Sequence, residues 1–588
     1  MFIRNDAAGR FYPLFGLALL FLIAQFGCEP CVDLDGDGYG DPANLACGHS
    51  KLDCDDGNPD VNPGMMEGPY GDETCDDGLD NDCTGFADGE EPQCVSVGLV
   101  EEDFVRIGSG GFGDSANSYA WGMELFNGDL YVGTNRHHVW QLMQAMSVLL
   151  EPLGMDMGSM IPGPEDQTLG GEGWAEETRG EIWRYRTDEG VVEWKRVHQA
   201  AVLYGELPIM ANALLPPPPD PPVVGYYPES YGYRTLGSFN GHLYAIGIGM
   251  WVPNMAFGRI LRSTDGEQWE DVTGIIAAAT NPRGLAVYHG RLFVSASLPG
   301  FGPAGAGQGM VYASSDPKTQ GWTEVSMPGF GNDDNAEIPY LKVFDDHLYA
   351  STVNFNTGFE VWKTDGTPDP GDPEGKRYVW TRVIRDGFGD TWNQWGMTLK
   401  GFGDYLYVGT AVGGGMVLKD AKPVGSRPFD VIRVDRNDNA ELVVGADKAM
   451  DPLPGWPEFR APLSGQPAGF GNPFNVYVWM MEVHDGWLYL GTMDMTGMFF
   501  EMLKAMIQTN SGALEQLFDL FEELFGGADL WKTRDGTYWE PVTVSGFGNP
   551  YNTGIRRMIS AANGLYVSTA NGMTGDPRGG CEVLLGHK

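Results

Sequence analysis

Asp33, Asp35, Asp37 and Asp41 place four carboxylates within the nine residues DLDGDGYGD, and no Lys or Arg interrupts them. Two unit charges about 4 Å apart repel by about 1 kcal/mol in water, and by several times that where water is partly excluded. Such a run either stays open and solvated or closes round a cation. Its spacing favours closure, because alternate residues of a tight loop converge on one point. Asp33, Asp35 and Asp37 stand at positions 1, 3 and 5 of a calcium loop; Gly38 at 6 allows the sharp turn, Tyr39 at 7 offers its carbonyl, and Asp41 falls at 9. Asn44 holds position 12, where a bidentate Glu is usual, so a further ligand is expected from Asp53 or Asp55 in LDCDD. A second run, DNDCTGFADGEE, fits over its whole length: Asp80, Asp82, Thr84, Gly85, Phe86, Asp88 and Glu91 take positions 1, 3, 5, 6, 7, 9 and 12. Hard carboxylate oxygens, with no histidine cluster and no clear thiolate site, select Ca2+ over zinc or copper.

Between Cys31 and Cys94 eighteen Asp or Glu stand against one Lys, Lys51, within a chain of net charge −43. That sign disfavours nucleic acid and anionic membrane surfaces as partners and favours cations. Seven of the eight cysteines lie in the first hundred residues, and Cys581 stands apart. Clustering in a small acidic segment indicates an oxidised, secreted module. Cys31, Cys47, Cys54, Cys75, Cys83 and Cys94 are then available for three bridges. Arg4 and Arg10 precede the apolar run FYPLFGLALLFLIAQFG, too short and one-sided for a spanning helix, which reads as an export signal over residues 1–27. Gly27-Cys28 resembles a bacterial lipoprotein cleavage site, with Gln25 where that pattern prefers Leu. The resemblance implies a lipidated Cys28 and membrane attachment through that anchor alone. Ordinary secretion and a retained anchor are the other outcomes.

The segments DLDGDGYGD, LDCDDGNPDVNPGMMEG and CDDGLDNDCTGFAD together resemble the metal-binding repeat of bacterial surface proteins of the MopE type. The match covers some 60 residues, with Thr84 where the repeat usually has Asp. It implies a cell-surface, cation-binding module over residues 28–96. It carries over no copper site, since His49 is the module's only histidine. Metal and disulfides together would fold a segment with almost no apolar core, as chains below roughly 70 residues generally require.

Residues 97–588 repeat themselves. One phrase recurs seven times: LYVGT (130–134), LYAIG (243–247), LFVSA (292–296), LYAST (348–352), LYVGT (406–410), LYLGT (488–492) and LYVST (565–569). Alternating apolar residues and a tight turn precede it, as in MELFNGD, LGSFNGH and MEVHDGW, the pattern of a hairpin. Third strands follow in GEIWRYRT, GRILRST and ADLWKTRDG, and fourth strands in VEWKRV, WTEV and YWEPV. The 85 glycines and 39 prolines supply the many turns this needs. Four short strands per unit at a period of roughly 50 residues or more predict an all-β fold, a seven-bladed β-propeller with two helical insertions. The last unit ends at GCEVLLGHK with three strands. EDFVRIGSGGFGD has the shape of WTEVSMPGFGN and is expected to supply the fourth, closing the ring and removing its edges.

Trp183, Trp362 and Trp531 on third strands, and Trp194, Trp269, Trp322, Trp380 and Trp539 on fourth strands, recur at matching positions and read as packing between blades. His242, His289, His347 and His484 lie in first hairpin turns and read as turn residues. Ser263-Thr264-Asp265-Gly266 through Trp269 resembles the Asp-box of sialidase-like propellers, a motif that shapes the turn between strands three and four. A glycosidase would need two carboxylates at a fixed separation, and neither that pair nor an arginine cluster can be assigned from the sequence.

The loops between blades and between strands two and three emerge on one face. Gly-Phe-Gly followed by Asp or Asn occurs there five times and reads first as structure, with a ligand ring containing Asp114 and Asp390 as the sharper alternative. Helical spacing marks HHVWQLMQAMSVLLEPLGM, MFFEMLKAMIQT and ALEQLFDLFEELF as insertions on that face. Arg136, His137 and His138 lie at the base of the first, a ligand-site candidate for which no third metal ligand can be named. The sequence thus describes an exported, lipid-anchored, monomeric surface protein. A calcium-binding stalk carries a propeller for a protein or glycan ligand, and no catalytic residue is assigned. The alternative is a carbohydrate-active enzyme with its pocket at the insertion-bearing face.

Overall fold

The structure, a computed structural model, describes residues 31–41, 47–49, 51–65, 67, 73–75, 77–88, 94, 97–141, 163–168, 170–188, 191–206, 224–248, 258–278, 281–297, 308–412, 417–419, 422–500 and 512–588. Two compact units result, Met1–Val97 and Gly98–Lys588.

The first unit has almost no regular structure among its described residues. Disulfides Cys31–Cys47, Cys54–Cys83 and Cys75–Cys94 hold it. The bridges mark a chain that folds in an oxidising compartment, hence an exported one. Apolar burial is slight: among the described residues it comprises Val61 and the bridged Cys75 and Cys94. Tyr39 stacks on His49 with ring centroids 4.4 Å apart, and His49 N donates to the Gly38 carbonyl at 2.8 Å.

The second unit is a β-propeller-like array of antiparallel four-strand meanders. The first comprises Asn117–Phe126, Asp129–Arg136, Glu181–Asp188 and Val191–Gln199. Each recurring LYVGT-like phrase forms the second strand, and every residue of Asp129–Arg136 is buried. Six more meanders begin at Gly232–Phe239, Leu285–Tyr288, Asn335–Phe344, Trp395–Phe402, Asn475–His484 and Gly554–Ala561. The last gains its outer strand from the start of the unit. Phe104–Gly108 pairs antiparallel with Val583–Gly586, Phe104 opposite Gly586 and Arg106 opposite Leu584. Cys581 lies buried and unbridged just before that strand.

The Gly-Phe-Gly loops are built into the packing. Phe112, Phe330, Phe388, Phe470 and Phe547 all have φ between 55° and 62°, a conformation L-residues seldom adopt. An Asn pins each loop: Asn117, Asn335, Asn393, Asn475 and Asn552 donate to the carbonyls of Gly111, Gly329, Gly387, Gly469 and Gly546 at 2.9–3.1 Å. The same amides donate to buried carboxylates ahead of or opening third strands: Glu181, Glu360, Asp430, Asp529 and Glu582, at 2.7–2.9 Å. Trp183, Trp362 and Trp531 add indole N–H bonds to Glu181, Glu360 and Asp529, and Phe470 stacks on Trp531 at 4.2 Å. Tryptophans in a fourth strand (Trp194) or just ahead of one (Trp322, Trp380) tie neighbouring meanders. Trp322 donates to the Val272 carbonyl at 2.8 Å, Trp380 to Val325 at 3.0 Å and Trp194 to Ile107 at 2.6 Å. The Asp-box-like turn is likewise structural: Asp265 Oδ1 accepts from the N–H groups of Glu267 and Gln268, both at 2.8 Å.

Of the insertions, residues 138–141 and 496–500 are helical, and the rest of those two segments lies outside the described residues. Gly512–Phe525 is a helix. Phe518 is buried on it, whereas Leu517, Leu520, Leu524 and Phe525 are exposed.

Candidate metal centre and central cavity

The loop at Asp33 closes on itself through its own carboxylates. Asp33 Oδ1 and Oδ2 accept from Gly36 N and Gly38 N at 2.7 and 3.0 Å; Asp35 Oδ1 accepts from Asp37 N at 3.2 Å, and Asp37 Oδ1 from Tyr39 N at 2.8 Å. Gly36 and Gly38 have φ of 87° and 99°, which lets the backbone turn tightly enough for these bonds. Asp53 Oδ1 accepts from Asp55 N at 2.9 Å, and Asp56 Oδ1 from Leu34 N at 2.9 Å, which ties the LDCDD segment to the loop. Ligand oxygens of Asp33, Asp35 and Asp37 lie within 4.8 Å of one another, as do those of Asp35, Asp53 and Asp56.

One oxygen of each central carboxylate shapes the backbone. The other, in Asp35, Asp37 and Asp53, is buried with no hydrogen-bond partner. Burial and the neighbouring aspartates raise the carboxyls of Asp35 and Asp53 above their usual range, in both cases against a local backbone hydrogen bond that lowers them. Carboxylates crowded together without a cation have this electrostatic signature.

The structure places Asp56 rather than Asp55 in the cluster; Asp55 is exposed and contributes its backbone N–H. Asp41 is exposed and outside it. At the second loop, Asp80 and Asp82 converge with Glu67, fully buried at 0% exposure, which the sequence reading did not single out. Thr84 N and Gly85 N donate to Asp80 at 2.9 and 2.8 Å. Glu67 accepts from Asn81 N at 3.0 Å and from Asp88 N, so both its oxygens already have partners. Asp88 accepts from Gly78 N at 3.1 Å, and Phe86 points to solvent. Glu91, Asn44 and Cys28 lie outside the described residues. A third group, Asp53 with Cys54 and Cys83, offers no thiolate, because those cysteines are bridged to each other. Among the described residues, the buried carboxylate oxygens of this unit that lack a partner gather at the Asp33 loop and Asp53.

In the propeller-like unit, the ring residues of the Gly-Phe-Gly loops are occupied structurally. Asp390 is buried and ion-paired with Arg427. Asp114 meets Arg136 at 2.8 Å; burial alone would raise its carboxyl, but Arg136 outweighs this and draws it below its usual range. His137 and His138 diverge. His137 sits beside Arg136, and burial with that charge lowers it to about 4. His138 packs on Tyr119 and Trp121, and burial with Arg234 and Arg556 nearby lowers it to about 3. Both are neutral, and neither joins a group of metal-binding side chains among the described residues.

The first strands line a central cavity. Counting nine residues back from the leucine of each recurring phrase gives Trp121, Arg234, Arg283, Pro339, Met397, Trp479 and Arg556. In six of the seven ladders the pairing register slips at this place, and a bulged residue is free to turn its side chain inward. Arg234 lies over Trp121 at 4.7 Å, Arg283 over Trp395 at 4.9 Å, and Arg556 over Trp479 at 5.1 Å. A cavity of about 240 Å³ adjoins them and extends towards Lys342 and Val287, near the turns between strands one and two. A second of about 80 Å³ adjoins the same arginines with Tyr119, His138 and Tyr477. An arginine cluster thus exists that the linear sequence hid, and the larger cavity extends away from the insertion-bearing face.

No protein-family model matches the chain, and no curated protein does. Solved structures with similar strand arrangements include a Bacteroides ovatus xyloglucan-locus GH43B protein, at 14% identity over 44% of this chain and 47% of that one, with a TM-score of 0.24. The phage phi92 endosialidase matches at 8% identity over 66% and 64%, TM-score 0.32. A GH43 endo-arabinanase from Bacillus licheniformis matches at 14% over 44% and 87%, TM-score 0.24. The chain thus spans about half of the Bacteroides protein and just under two thirds of the phage enzyme. Identities and TM-scores this low assign no function to this chain.

Proposed function

We propose that this is an exported surface protein of two parts. Residues 28–96 form a Ca2+-binding module akin to the MopE-type repeat, lipid-anchored at Cys28. Residues 97–588 form a closed seven-bladed propeller that binds a ligand. The observation that carries the cation reading is the trio of buried, unpartnered oxygens on Asp35, Asp37 and Asp53. Oxygen-only ligands in irregular acidic loops suit Ca2+ better than Mg2+, which demands near-ideal octahedral geometry. Binding there would neutralise the repulsion and lock LDCDD to the Asp33 loop, so metal binding and local folding are one event. Equilibrium dialysis of the oxidised exported chain at millimolar Ca2+ tests this. Excess calcium in the protein compartment, lost in Asp35→Asn/Asp53→Asn, is expected; no excess removes the reading.

A carbohydrate-active enzyme is the second reading. What favours it is the central cavity, whose lining Arg283 is approached by Glu337 at 3.4 Å, the second oxygen of that carboxylate being buried and unpartnered. Reducing-sugar release from a panel of neutral and acidic glycans, abolished by Glu337→Gln, would support it; no release from any glycan would end it.

A further inference from the structure

The central cavity gathers cations without the acids to match them. Arg234, Arg283, Arg556, Arg557 and Lys342 border it. The carboxylates facing them are Glu337 beside Arg283, Glu124 held by Ser238 at 2.7 Å, and Glu482 already paired with Lys400. Among the described residues, and with Lys400 included, this leaves an excess of three positive charges inside a chain whose net charge is −43. A charge buried without a partner is far costlier than a buried neutral group.

The hydrogen-bond pattern says where the missing partner belongs. A guanidinium carries five N–H donors. Arg556 is 5% exposed, yet it makes no hydrogen bond with the described residues; its flat face rests on Trp479 and Trp121, a contact that fixes the plane and uses no donor. Arg234, also 5% exposed, donates to Asn281 Oδ1 at 2.5 Å. Arg557 donates to Thr235 Oγ1 at 3.2 Å and towards the Met480 sulfur. The Nε atoms of Arg234, Arg556 and Arg557 are all buried without an acceptor. Burial and mutual repulsion lower the pKa of Arg234 and Arg556 well below the usual guanidinium value. The tryptophans therefore hold the guanidinium planes and leave donor edges for a ligand. Such edges match the paired oxygens of a carboxylate, sulfate or phosphate.

We propose that this cavity is a binding site for a compact oxyanion carrying two or more negative charges, of the phosphate, sulfate or dicarboxylate class, seated against the edges of Arg234, Arg556 and Arg557. The site rests neither on the cation reading nor on any catalysis.

The test uses the full exported chain in calcium-free buffer, so that failure of the calcium reading leaves it interpretable. Inorganic phosphate, sulfate and malonate are titrated at constant ionic strength, with chloride as control, and the main melting transition is followed. A ligand that binds only the folded state raises the Tm in a saturable way. The expected result is such a rise with at least one of the three anions, absent with chloride, and an affinity at least about tenfold weaker in Arg556→Met, which keeps the apolar stem but not the fork. Should Arg556→Met fail to fold, Arg556→Lys keeps the charge without the fork, and the same tenfold loss is expected. No saturable rise with any of the three, or an unchanged affinity in the folded variant, overturns the proposal.

Discussion

The acidic loops of residues 31–88 and the buried carboxylates of the propeller-like unit use the same chemical groups in opposite ways. Among the described residues of the loops, carboxylates accept chiefly from backbone N–H groups, and three buried oxygens, on Asp35, Asp37 and Asp53, are left without partners. In the propeller-like unit, Glu360 accepts from Asn335, Trp362 and Arg382 at 2.7–2.8 Å, and Asp430 from Asn393, Arg427 and Arg460 at 2.6–3.0 Å. Glu360 and Asp430 have guanidinium partners within the fold; Asp35, Asp37 and Asp53 each keep a buried oxygen with no partner among the described residues. Acidic residues therefore say little about function until their partners are known.

The comparison breaks most visibly at the chain ends of the propeller-like unit. Deleting residues 97–108 removes the strand Phe104–Gly108, the Arg106–Glu582 pair at 3.0 Å, and Leu99, whose N–H donates to the Tyr489 hydroxyl at 2.7 Å. Several ladder bonds worth about 0.5–1.5 kcal/mol each, with apolar burial added, approach the whole stability of a domain, roughly 5–15 kcal/mol. Val105 is exposed and adds nothing to that burial. The deletion is expected to unfold or aggregate the unit, while deletion of 28–96 leaves its melt unchanged. Thermal melts and limited proteolysis of both truncations check this.

A single carboxylate comes next. Glu360→Ala takes an acceptor from the buried Asn335 amide and from the Trp362 indole N–H, while Arg382 is exposed enough to turn to water, and it is expected to cost about 1–3 kcal/mol in urea unfolding.

Proton linkage sharpens the contrast within the recurring network. Asp529 has no cationic partner among the described residues, and burial raises it to about 6; Asp494 rises to about 7 through burial, with the Asp529 charge adding to it. Both hold protons in the folded state that an unfolded Asp, at about 3.9, has lost. Their contribution is fully present below pH 4 and is lost as pH rises through 6 to 7. Burial pulls Asp430 upward too, but Arg427 and Arg460 outweigh it and hold the carboxyl below its usual value. Its contribution is present above pH 4 and is lost as pH falls through its depressed folded value. Asp529→Asn should therefore raise stability at pH 8 but not at pH 4, by on the order of 1–2 kcal/mol and with a matching rise in Tm, while Asp430→Asn lowers both at pH 8. Melts at the two pH values decide. The smallest effect belongs to the exposed turn: Asp265→Ala removes two backbone hydrogen bonds and should cost about 0.5–1.5 kcal/mol.

Legibility in the sequence followed the range of the physics. Strands and turns are local, so the recurring LYVGT phrase and its Asn-Gly-type turns marked the meanders, and Gly-Phe-Gly marked a built-in loop. The first three carboxylates of the Asp33 loop were legible because they are spaced along one turn. Asp56 was not, because the choice between it and Asp55 depends on how LDCDD folds back to meet Leu34. Glu67 was hidden thirteen residues ahead of Asp80. The arginine cluster was hidden most deeply. Arg234, Arg283 and Arg556 stand alone in separate meanders, and only the common nine-residue offset from the recurring leucine, realised by a bulge in two of the three, brings them together.

Calorimetric titration of the oxidised exported chain with Ca2+, in parallel with Asp35→Asn, Asp53→Asn and Asp55→Asn, tests the central claim most directly. The account predicts saturable binding with a dissociation constant on the order of 0.1–1 mM, the range of extracellular calcium modules, weakened at least about tenfold in the first two variants and unchanged in the third. Absence of heat at several times that concentration, or an Asp55→Asn loss as large as that of Asp53→Asn, would contradict it.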